Sequence, residues 1–224
     1  MVFVRHALSV GNTLSQDERS ALEIPNHAYP LTDLGRQQAE ITGQYLKETF
    51  GSEYFGYFFH STFTRTSETM EVILKELGRT DIPVTDPRLD EKWDGIFHEL
   101  SKAEIEWRYP DQIKLRKRAG YYHFRAPGGQ NCPDVELQIR SFVTERLLVP
   151  NPKNMLIVGH GRWFLLFQRL IHNLSVEKFL EMKEHSECEN ASVTLYTIDT
   201  MTDDIPQSIT PWKGKIEEVS SECA

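Results

Sequence analysis

Apolar residues along this chain follow two kinds of pattern. Short, continuous apolar runs are typical of buried strands, and they occur at 1–4, 54–60, 155–158 and 191–198. Ile82-Pro83-Val84 predicts a short edge strand, because proline cannot donate to a sheet ladder. Longer stretches carry apolar residues at helical spacing, at about 32–50, 63–77, 100–107, 133–148 and 163–171, and around Phe179.

The order of these elements predicts the fold class. Strands alternate with helices, which favours an α/β fold: a three-layer α/β/α sandwich around a mostly parallel central sheet. Thr32 is the predicted N-cap of the first helix, and Gly78 is the predicted C-cap of the second. Residues 7–30 are predicted to be loop, and residues 86–132 show the least regular pattern. No linker divides the chain, so we predict a single domain over residues 1–224.

Composition and charge argue against several classes of protein. The formal net charge of -8 disfavours general binding to nucleic acids or membrane surfaces. No apolar run has the length that spans a bilayer, and the N-terminus lacks the features of a signal peptide. Cys132, Cys188 and Cys223 show no metal-binding spacing and are expected to be free thiols, which predicts a cytoplasmic protein. An anionic substrate would need a locally basic pocket on this acidic chain.

Polar residues follow three of the predicted strands at the point where each strand ends. These residues are the pairs Arg5-His6, His60-Ser61 and Gly159-His160. Ligands of parallel sheets bind outside the carboxyl ends of the strands. The three pairs therefore indicate a site at this edge of the sheet.

His6 is the first candidate for chemistry. An imidazole nitrogen can attack phosphorus when its other nitrogen is held by an acceptor, which selects the tautomer. The neighbouring Arg5 and the loop residue Asn12 are types that hold phosphate oxygens. The alternative, a structural histidine after a strand, is left open by these residues alone.

Two further segments offer groups that bind anions. Arg65 lies near the start of the second predicted helix, where a guanidinium and a helix N-terminus can face the same ligand; a solvated surface arginine is the alternative. His160 lies between glycines, and Gly161 can offer its N–H at the start of the next helix. A purely structural turn is the alternative there.

Glu91 is a candidate proton donor to a leaving group. It lies in the charged segment 88–95, where Asp90 and Asp94 compete for the same role. A donor carboxyl would need a raised pKa, from burial or from neighbouring carboxylates. An exposed, charged loop is an equally good interpretation of the spacing.

These segments occur in one order that resembles the histidine phosphatase superfamily, also called phosphoglycerate mutase-like. The resemblance covers roughly residues 1–200. It rests on Arg5-His6 with Asn12, on Leu-Thr-x-x-Gly-x-x-Gln-Ala at 31–39, and on the segments 61–69, 89–95 and 158–161. The 31–39 stretch adds much specificity, because it is not itself catalytic.

The resemblance implies a role for each candidate residue. His6 would be the phosphorylated nucleophile, with Arg5, Arg65 and His160 forming the phosphate pocket and Asn12 adding a polar contact. Glu91 would protonate the leaving group and later help to activate water. The family needs no metal, and the sequence has no evident carboxylate and histidine cluster to bind one; we expect no cofactor.

The chain departs from the family pattern at several positions. Ala7 stands where the family usually has glycine, and we expect the turn to tolerate it unless a positive φ is needed there. Gln130 replaces the acid of a Pro-Gly-Gly-Glu-Ser turn. Arg162 and Trp163 replace small polar residues that are common in mutases. An insert at about 96–130, with the aromatic cluster 120–125, is predicted to be a lid or specificity wall; a hydrophobic plug is the alternative.

These departures favour the phosphatase branch of the family. The leading hypothesis is a metal-independent phosphatase that hydrolyses a phosphorylated small molecule, or less favourably a phosphoprotein, through a phosphohistidine on His6. A phosphoglycerate mutase or sugar bisphosphatase is the alternative, followed by a non-catalytic phosphate-binding module. No nucleic-acid or membrane partner is expected, and the chain is expected to be a monomer or a homodimer.

Overall fold

A mixed β-sheet forms the middle layer of the protein. The computed structural model describes residues 1–147, 154–185, 188–197, 205–213 and 215–216. Within these residues the sheet has five strands in the order β3-β2-β4-β1-β5. The strands are β1 (Val2–Arg5), β2 (Tyr57–His60), β3 (Val84–Thr85), β4 (Met155–Gly159) and β5 (Val193–Leu195). β1 to β4 pair in parallel, and β5 is antiparallel to β1.

Helices connect the strands. They are α1 (Val10–Thr13), α2 (Gln16–Ser20), α3 (Asp33–Phe50), α4 (Thr64–Leu77), α5 (Ile96–Glu99), α6 (Lys102–Arg108), α7 (Pro110–His123), α8 (Cys132–Phe142), α9 (Gly161–Ile171) and α10 (Val176–His185). A π-helical turn at Val143–Leu147 extends α8, and 3₁₀ turns lie at Asn26–Ala28 and Pro87–Leu89. None of the helices in the described residues combines the length and the apolar composition needed to cross a bilayer.

Side chains alternate across the sheet and bury its two faces under different helices. Val2 and Val4 of β1 pack with the apolar residues of α3 and α4. Phe3 points to the opposite face, where it stacks on Phe164 of α9 with ring centroids 4.2 Å apart. α8 and α10 add to the same cluster. The predicted three-layer α/β/α sandwich is confirmed.

Capping residues define the ends of α3 and α4 as the sequence indicates. Thr32 Oγ1 accepts a hydrogen bond from the Gly35 N–H at 3.0 Å, which satisfies one of the free donors at the start of α3. Gly78 ends α4 in the left-handed conformation with φ +71°, which glycine adopts without steric cost. Both predicted caps are confirmed.

The structure differs from the sequence predictions in two segments, 7–30 and 110–123, and at the edge strand predicted for 82–84. Residues 7–30 contain α1 and α2, and α7 covers the basic and aromatic stretch 110–123. These helices are missed because they bury almost no apolar stripe: α1 and α2 contain no buried residue, and α7 buries only Tyr122. At the edge, Ile82 is 92% exposed and β3 begins only at Val84. The predicted last strand extends to Ile198, which lies outside the described residues.

The insert at 96–130 packs around an apolar cluster of its own. This cluster contains Phe97, Ile105, Phe124 and Ala126. Gln16 of α2 attaches to the insert, since its Nε2 donates to the carbonyls of Phe97 and Leu100 at 3.1 and 3.0 Å. These contacts hold the insert over the carboxyl ends of the strands. The function of the insert as a lid or specificity wall remains a prediction.

Candidate active site

A cavity of about 510 Å³ lies at the carboxyl ends of β1 and β4. Six of the seven residues singled out from the sequence line it: Arg5, His6, Asn12, Arg65, Glu91 and Gly161. They come from the end of β1, from the helices α1, α4 and α9, and from the loop 90–95. The parallel arrangement of the strands brings these distant segments to one place.

His6 is held at the end of β1 by its own backbone and by its ring. Its N–H donates to the Gly159 carbonyl at 2.9 Å, and its ring Nδ1 lies 2.8 Å from the Ala7 carbonyl oxygen. A carbonyl only accepts, so Nδ1 carries the proton in this contact and Nε2 keeps its lone pair. Burial, reinforced by the positive charges of Arg65 and Arg5, holds the pKa of His6 well below its ordinary value. The ring is therefore neutral at pH 7.

The turn after His6 tolerates alanine. Ala7 is fully buried, and its N–H donates to Thr69 Oγ1 at 3.0 Å. Of the described residues other than glycine, only Asn173 and Ala191 have positive φ. Ala7 therefore needs no special backbone conformation, and the expectation for this position is confirmed.

The stretch at 31–39, which matches the family motif, holds the backbone of Leu8 by hydrogen bonds. The Leu8 carbonyl accepts hydrogen bonds from the N–H and Oγ1 of Thr32 at 3.0 and 3.2 Å, and the Leu8 N–H donates to Gln38 Oε1 at 3.0 Å. A Cβ on Gly35 would lie 2.0 Å from the Leu8 oxygen, so only glycine permits this approach. The stretch thus positions the segment that carries His6.

Two arginines flank His6. Arg5 donates from Nη1 to the Cys188 carbonyl, while its buried Nε has no hydrogen-bond partner among the described residues. Arg65 is 6% exposed; its Nη1 donates to the Asn26 carbonyl at 2.9 Å. Burial lowers the pKa of Arg65 to about 10, which still leaves it charged at pH 7.

His160 is the one predicted site residue that does not line the cavity. Its side chain is fully buried, Nε2 is 2.8 Å from Ser61 Oγ, and the ring centroid is 5.2 Å from that of His6. Burial and the charge of Arg65 hold its pKa well below the ordinary value. Nδ1 has no partner among the described residues. A contact between His160 and phosphate remains a prediction.

The three candidate carboxylates have different surroundings. Asp90 is buried and accepts from the Thr62 N–H and hydroxyl at 2.8 and 2.9 Å, and burial raises its pKa. Asp94 pairs with Lys92 and Arg162. Glu91 lines the cavity with 14% of its side chain exposed, and its Oε1 lies 3.5 Å from Arg162 Nε. Asp90 does not line the cavity, so Glu91 and Asp94 are the carboxylates available to a ligand there.

Gln130 supports the loop that carries Glu91. Its Oε1 accepts from the Trp93 N–H at 3.1 Å, and its own N–H donates to the Trp93 carbonyl at 2.8 Å. Gly95 has φ +57°, and a Cβ there would lie 2.2 Å from the Pro127 oxygen. The two loops therefore touch through their backbones. The amide at position 130 thus serves as an acceptor that needs no negative charge.

Arg162 and Trp163 follow Gly161 but lie in different environments. Arg162 lines the cavity; burial opposes its charge, but Glu91 and Asp94 hold its pKa well above the ordinary value. Trp163 is fully buried in the core and donates from Nε1 to the Arg88 carbonyl at 2.7 Å. Trp163 therefore lies in the core and not in the cavity wall, and the preference for a phosphatase drawn from this position remains a prediction.

Several cavity residues had not been identified from the sequence as site residues. Besides Arg162 they include Arg19 of α2, Asn26, His98, and Lys183 of α10; Tyr121 had been placed only in the predicted lid. The position of Arg162 directly after Gly161 was a usable signal for this residue. No group of three or more His, Cys, Asp or Glu side chains in the described part of the chain is arranged to hold a metal ion.

The fold and the histidine–arginine cavity at its strand ends define a protein of the phosphoglycerate mutase-like class. The chain belongs to the histidine phosphatase superfamily (branch 1), whose sequence profile matches residues 1–205. A 2,3-bisphosphoglycerate-dependent phosphoglycerate mutase from Methylocella silvestris is 33% identical over 165 residues, which cover 72% of this chain and 75% of the relative.

Solved structures with the same fold include phosphatases. Mycobacterial glucosyl-3-phosphoglycerate phosphatase superposes with a TM-score of 0.64 at 22% identity, covering 87% of this chain and 88% of its own. The α-ribazole phosphatase of Shigella flexneri has a TM-score of 0.69 at 16% identity, covering 88% and 90%. At these identities the similarity establishes the fold.

Proposed function

We propose that this protein is a metal-independent phosphatase that hydrolyses phosphomonoesters through a phosphohistidine on His6. The observation that carries the proposal is the state of His6. Its Nδ1 is engaged by the Ala7 carbonyl at 2.8 Å, its pKa is lowered by burial and by the two arginines, and it lines the same cavity as Glu91. A neutral imidazole with a free Nε2 lone pair is the form that attacks phosphorus.

In the first step His6 Nε2 forms a bond to phosphorus while the bond from phosphorus to the leaving oxygen breaks. Glu91 delivers a proton to that oxygen, so the product leaves as a neutral alcohol. Arg5 and Arg65 bind the non-bridging oxygens, where negative charge is greatest. The Ala7 carbonyl stabilises the N–H of the cationic ring that forms.

In the second step water replaces His6 at phosphorus. The water oxygen forms a bond to phosphorus, the bond between nitrogen and phosphorus breaks, and Glu91 accepts a proton from the water. Inorganic phosphate leaves, and His6 recovers its lone pair. We assign Asn12 and the Gly161 N–H to further phosphate contacts, and His160 Nδ1, which lacks a partner among the described residues, to the same oxygens.

The size and charge of the cavity support a small phosphorylated metabolite as the substrate. A cavity of about 510 Å³ is within the usual range for small-molecule sites. The arginines that line it supply local positive charge on a chain of net charge -8. A phosphoprotein substrate would have to present its side chain into the same recess.

A phosphoglycerate mutase is the second candidate, favoured by the 33% identity to the Methylocella silvestris enzyme. A mutase must return the phosphoryl group to its substrate, so the phosphohistidine has to survive in the presence of water. The lifetime of phosphorylated His6, measured by rapid quenching at successive times, discriminates between the two candidates. It is short for a phosphatase and long for a mutase.

The decisive experiment compares wild type with His6→Ala and Glu91→Gln on aryl and alkyl phosphates. His6→Ala should abolish turnover of para-nitrophenyl phosphate, and near-normal rates in this variant would refute the nucleophile. Glu91→Gln should slow alkyl phosphates, which have poor leaving groups, more than aryl phosphates. Equal losses would reject Glu91 as the acid.

Glu53→Gln is the matched control, because the Glu53 side chain is 88% exposed and remote from the cavity. Phosphate binding without turnover of any substrate would favour a non-catalytic module.

A further inference from the structure

Phe63 lies directly before α4 and is fully buried beside the candidate active site. Its backbone is held at both ends: the N–H donates to Ser61 Oγ at 3.2 Å, and the carbonyl accepts from the N–H and Oγ1 of Thr66 at 2.9 and 2.7 Å. Phe63 itself does not line the cavity. Its ring is therefore a fixed surface behind the cavity wall.

The ring of Phe63 lies against the guanidinium of Arg65. Arg65 Cζ is 4.5 Å from the ring centroid, within the range of cation–π attraction, in which the negative face of an aromatic ring meets a positive charge. Arg65 forms no ion pair with a described residue. Its side chain donates there only to Asn26, from Nη1 to the carbonyl and to Oδ1 at 2.9 and 3.4 Å. The ring and Asn26 are thus the two partners that hold this cation.

The ring supports a charge that burial disfavours. Arg65 is 6% exposed, and burial lowers the pKa of its guanidinium to about 10. A ring face offsets part of this desolvation without occupying an N–H group. The N–H groups of Nε and Nη2 hydrogen-bond to no described residue, so they remain for the oxygens of a phosphate. A carboxylate in place of the ring would accept hydrogen bonds from those same groups.

The same ring contacts two further elements of the site. The His160 ring packs against it with centroids 4.9 Å apart and planes at 70°. Trp93, whose ring centroid is 5.5 Å away, belongs to the loop that carries Glu91. A change in side-chain volume at position 63 would disturb both neighbours. A change confined to the charge of the ring face would act chiefly on the cation, Arg65, and this difference separates electrostatics from packing.

We propose that Phe63 is a positioning residue for phosphate binding, whose ring face keeps the Arg65 guanidinium in the orientation that presents its free N–H groups to the phosphate. The inference rests on the proposed function, in which Arg65 binds the non-bridging oxygens, and adds a residue that acts through Arg65 without touching the substrate. When the ring attraction is weakened, the guanidinium occupies other orientations in the open cavity. The apparent affinity for phosphate then falls by the fraction that remains in the productive one.

The test replaces Phe63 in the full chain by phenylalanines with one and with three ring fluorines, introduced at an amber codon. Fluorine withdraws electron density from the ring face and weakens cation–π attraction, while the shape of the ring changes little. The measurements are the inhibition constant Ki of inorganic phosphate against para-nitrophenyl phosphate, kcat/KM and Tm. We expect Ki to rise stepwise, by about three- to tenfold for the trifluoro ring, and kcat/KM to fall in parallel. Tm should fall by no more than about 4 °C.

Two controls and one further variant assign the effect. The same fluorinated residues at Phe55, which is 1% exposed and whose ring partners among the described residues are aromatic, should leave Ki unchanged. In Arg65→Gln, fluorines at position 63 should have no further effect on Ki, because the cation on which they act is gone. Phe63→Leu removes the ring and should raise Ki at least as much as the trifluoro ring, with a larger fall in Tm from lost packing.

The outcomes separate the positioning role from the proposed function. A stepwise rise of Ki at position 63, absent at position 55 and in Arg65→Gln, supports the role. An unchanged Ki across the fluorinated series overturns it even if Phe63→Leu is impaired, because packing alone would then be at work. A rise that persists in Arg65→Gln also overturns it and assigns the effect to His160. If para-nitrophenyl phosphate is not hydrolysed, the proposed function fails, and calorimetric binding of inorganic phosphate to the same proteins decides the role of Phe63 by the same ratios.

Discussion

Asp94 joins two cations at the edge of the candidate active site, and its charge can be removed without changing its shape. Its Oδ1 accepts from Lys92 Nζ at 2.6 Å, and its two oxygens lie 3.2 and 3.0 Å from Arg162 Nη1. Lys92 is 6% exposed. Asp94→Asn would therefore leave a buried ammonium group beside a neutral amide.

The pKa of Asp94 sets the size of the expected effect. Burial opposes ionisation, but Arg162 and Lys92 lower this pKa from 3.8 to about 2. The drop corresponds to about 2.4 kcal/mol at 1.36 kcal/mol for each pKa unit. Since 33% of the Asp94 side chain is exposed, solvent screening reduces it to about 1–2 kcal/mol. The uncompensated charge of Lys92 adds about 1 kcal/mol or more. We expect Asp94→Asn to lower the free energy of unfolding at pH 7 by about 2–3 kcal/mol, and Tm by about 4–12 °C.

The pH dependence of this loss has a definite sign. A carboxyl whose pKa is depressed in the folded state stabilises the fold above its unfolded pKa. That contribution disappears as the pH falls from about 4 towards about 2, where wild-type Asp94 is itself protonated. The difference between wild type and Asp94→Asn should therefore shrink across this window.

Urea unfolding of both proteins at pH 7, 4 and 3 measures the difference directly. Glu53→Gln is a suitable control. It breaks the ion pair between Glu53 and Arg79, in which the Glu53 side chain is 88% exposed. This substitution should lower the free energy of unfolding by at most about 1 kcal/mol. Equal costs for the two substitutions at pH 7, or a cost of Asp94→Asn that does not decline at pH 3, would refute the reasoning.

Two further predictions concern the core and the candidate nucleophile. Trp163→Phe removes the hydrogen bond to the Arg88 carbonyl and should lower the unfolding free energy by about 1–3 kcal/mol. It should leave kcat for aryl phosphates within about twofold, and a large fall in kcat with intact folding would place Trp163 in the site. For His6, NMR of ¹³C-labelled imidazole should show no titration between pH 6 and 8, because burial, Arg65 and Arg5 hold its pKa well below the ordinary value; a midpoint near that of free histidine would contradict the neutral ring.

Part of the candidate site can be predicted from the sequence, because parallel strands end at one edge of the sheet. Arg5 and His6 end β1, and Gly161 begins the helix after β4, so an apolar run followed by polar residues is enough to find them. Arg19 and Lys183 carry no such signal. Arg19 lies on a short helix without buried residues, and it reaches the site through contacts between α2 and the insert, such as those of Gln16.

The sequence by itself determined the apolar strands, the caps at Thr32 and Gly78, the α/β class and the superfamily, because these depend on local pattern and motif order. Only the tertiary structure decided which side of a helix faces the site. Arg162 and Trp163 are neighbours, yet successive residues of an α-helix point about 100° apart, and packing turned one into the cavity and the other into the core. Burial and neighbouring charges likewise arise only when distant segments meet, and they keep the His6 ring neutral. The packing of the same segments leaves the His160 side chain buried outside the cavity wall.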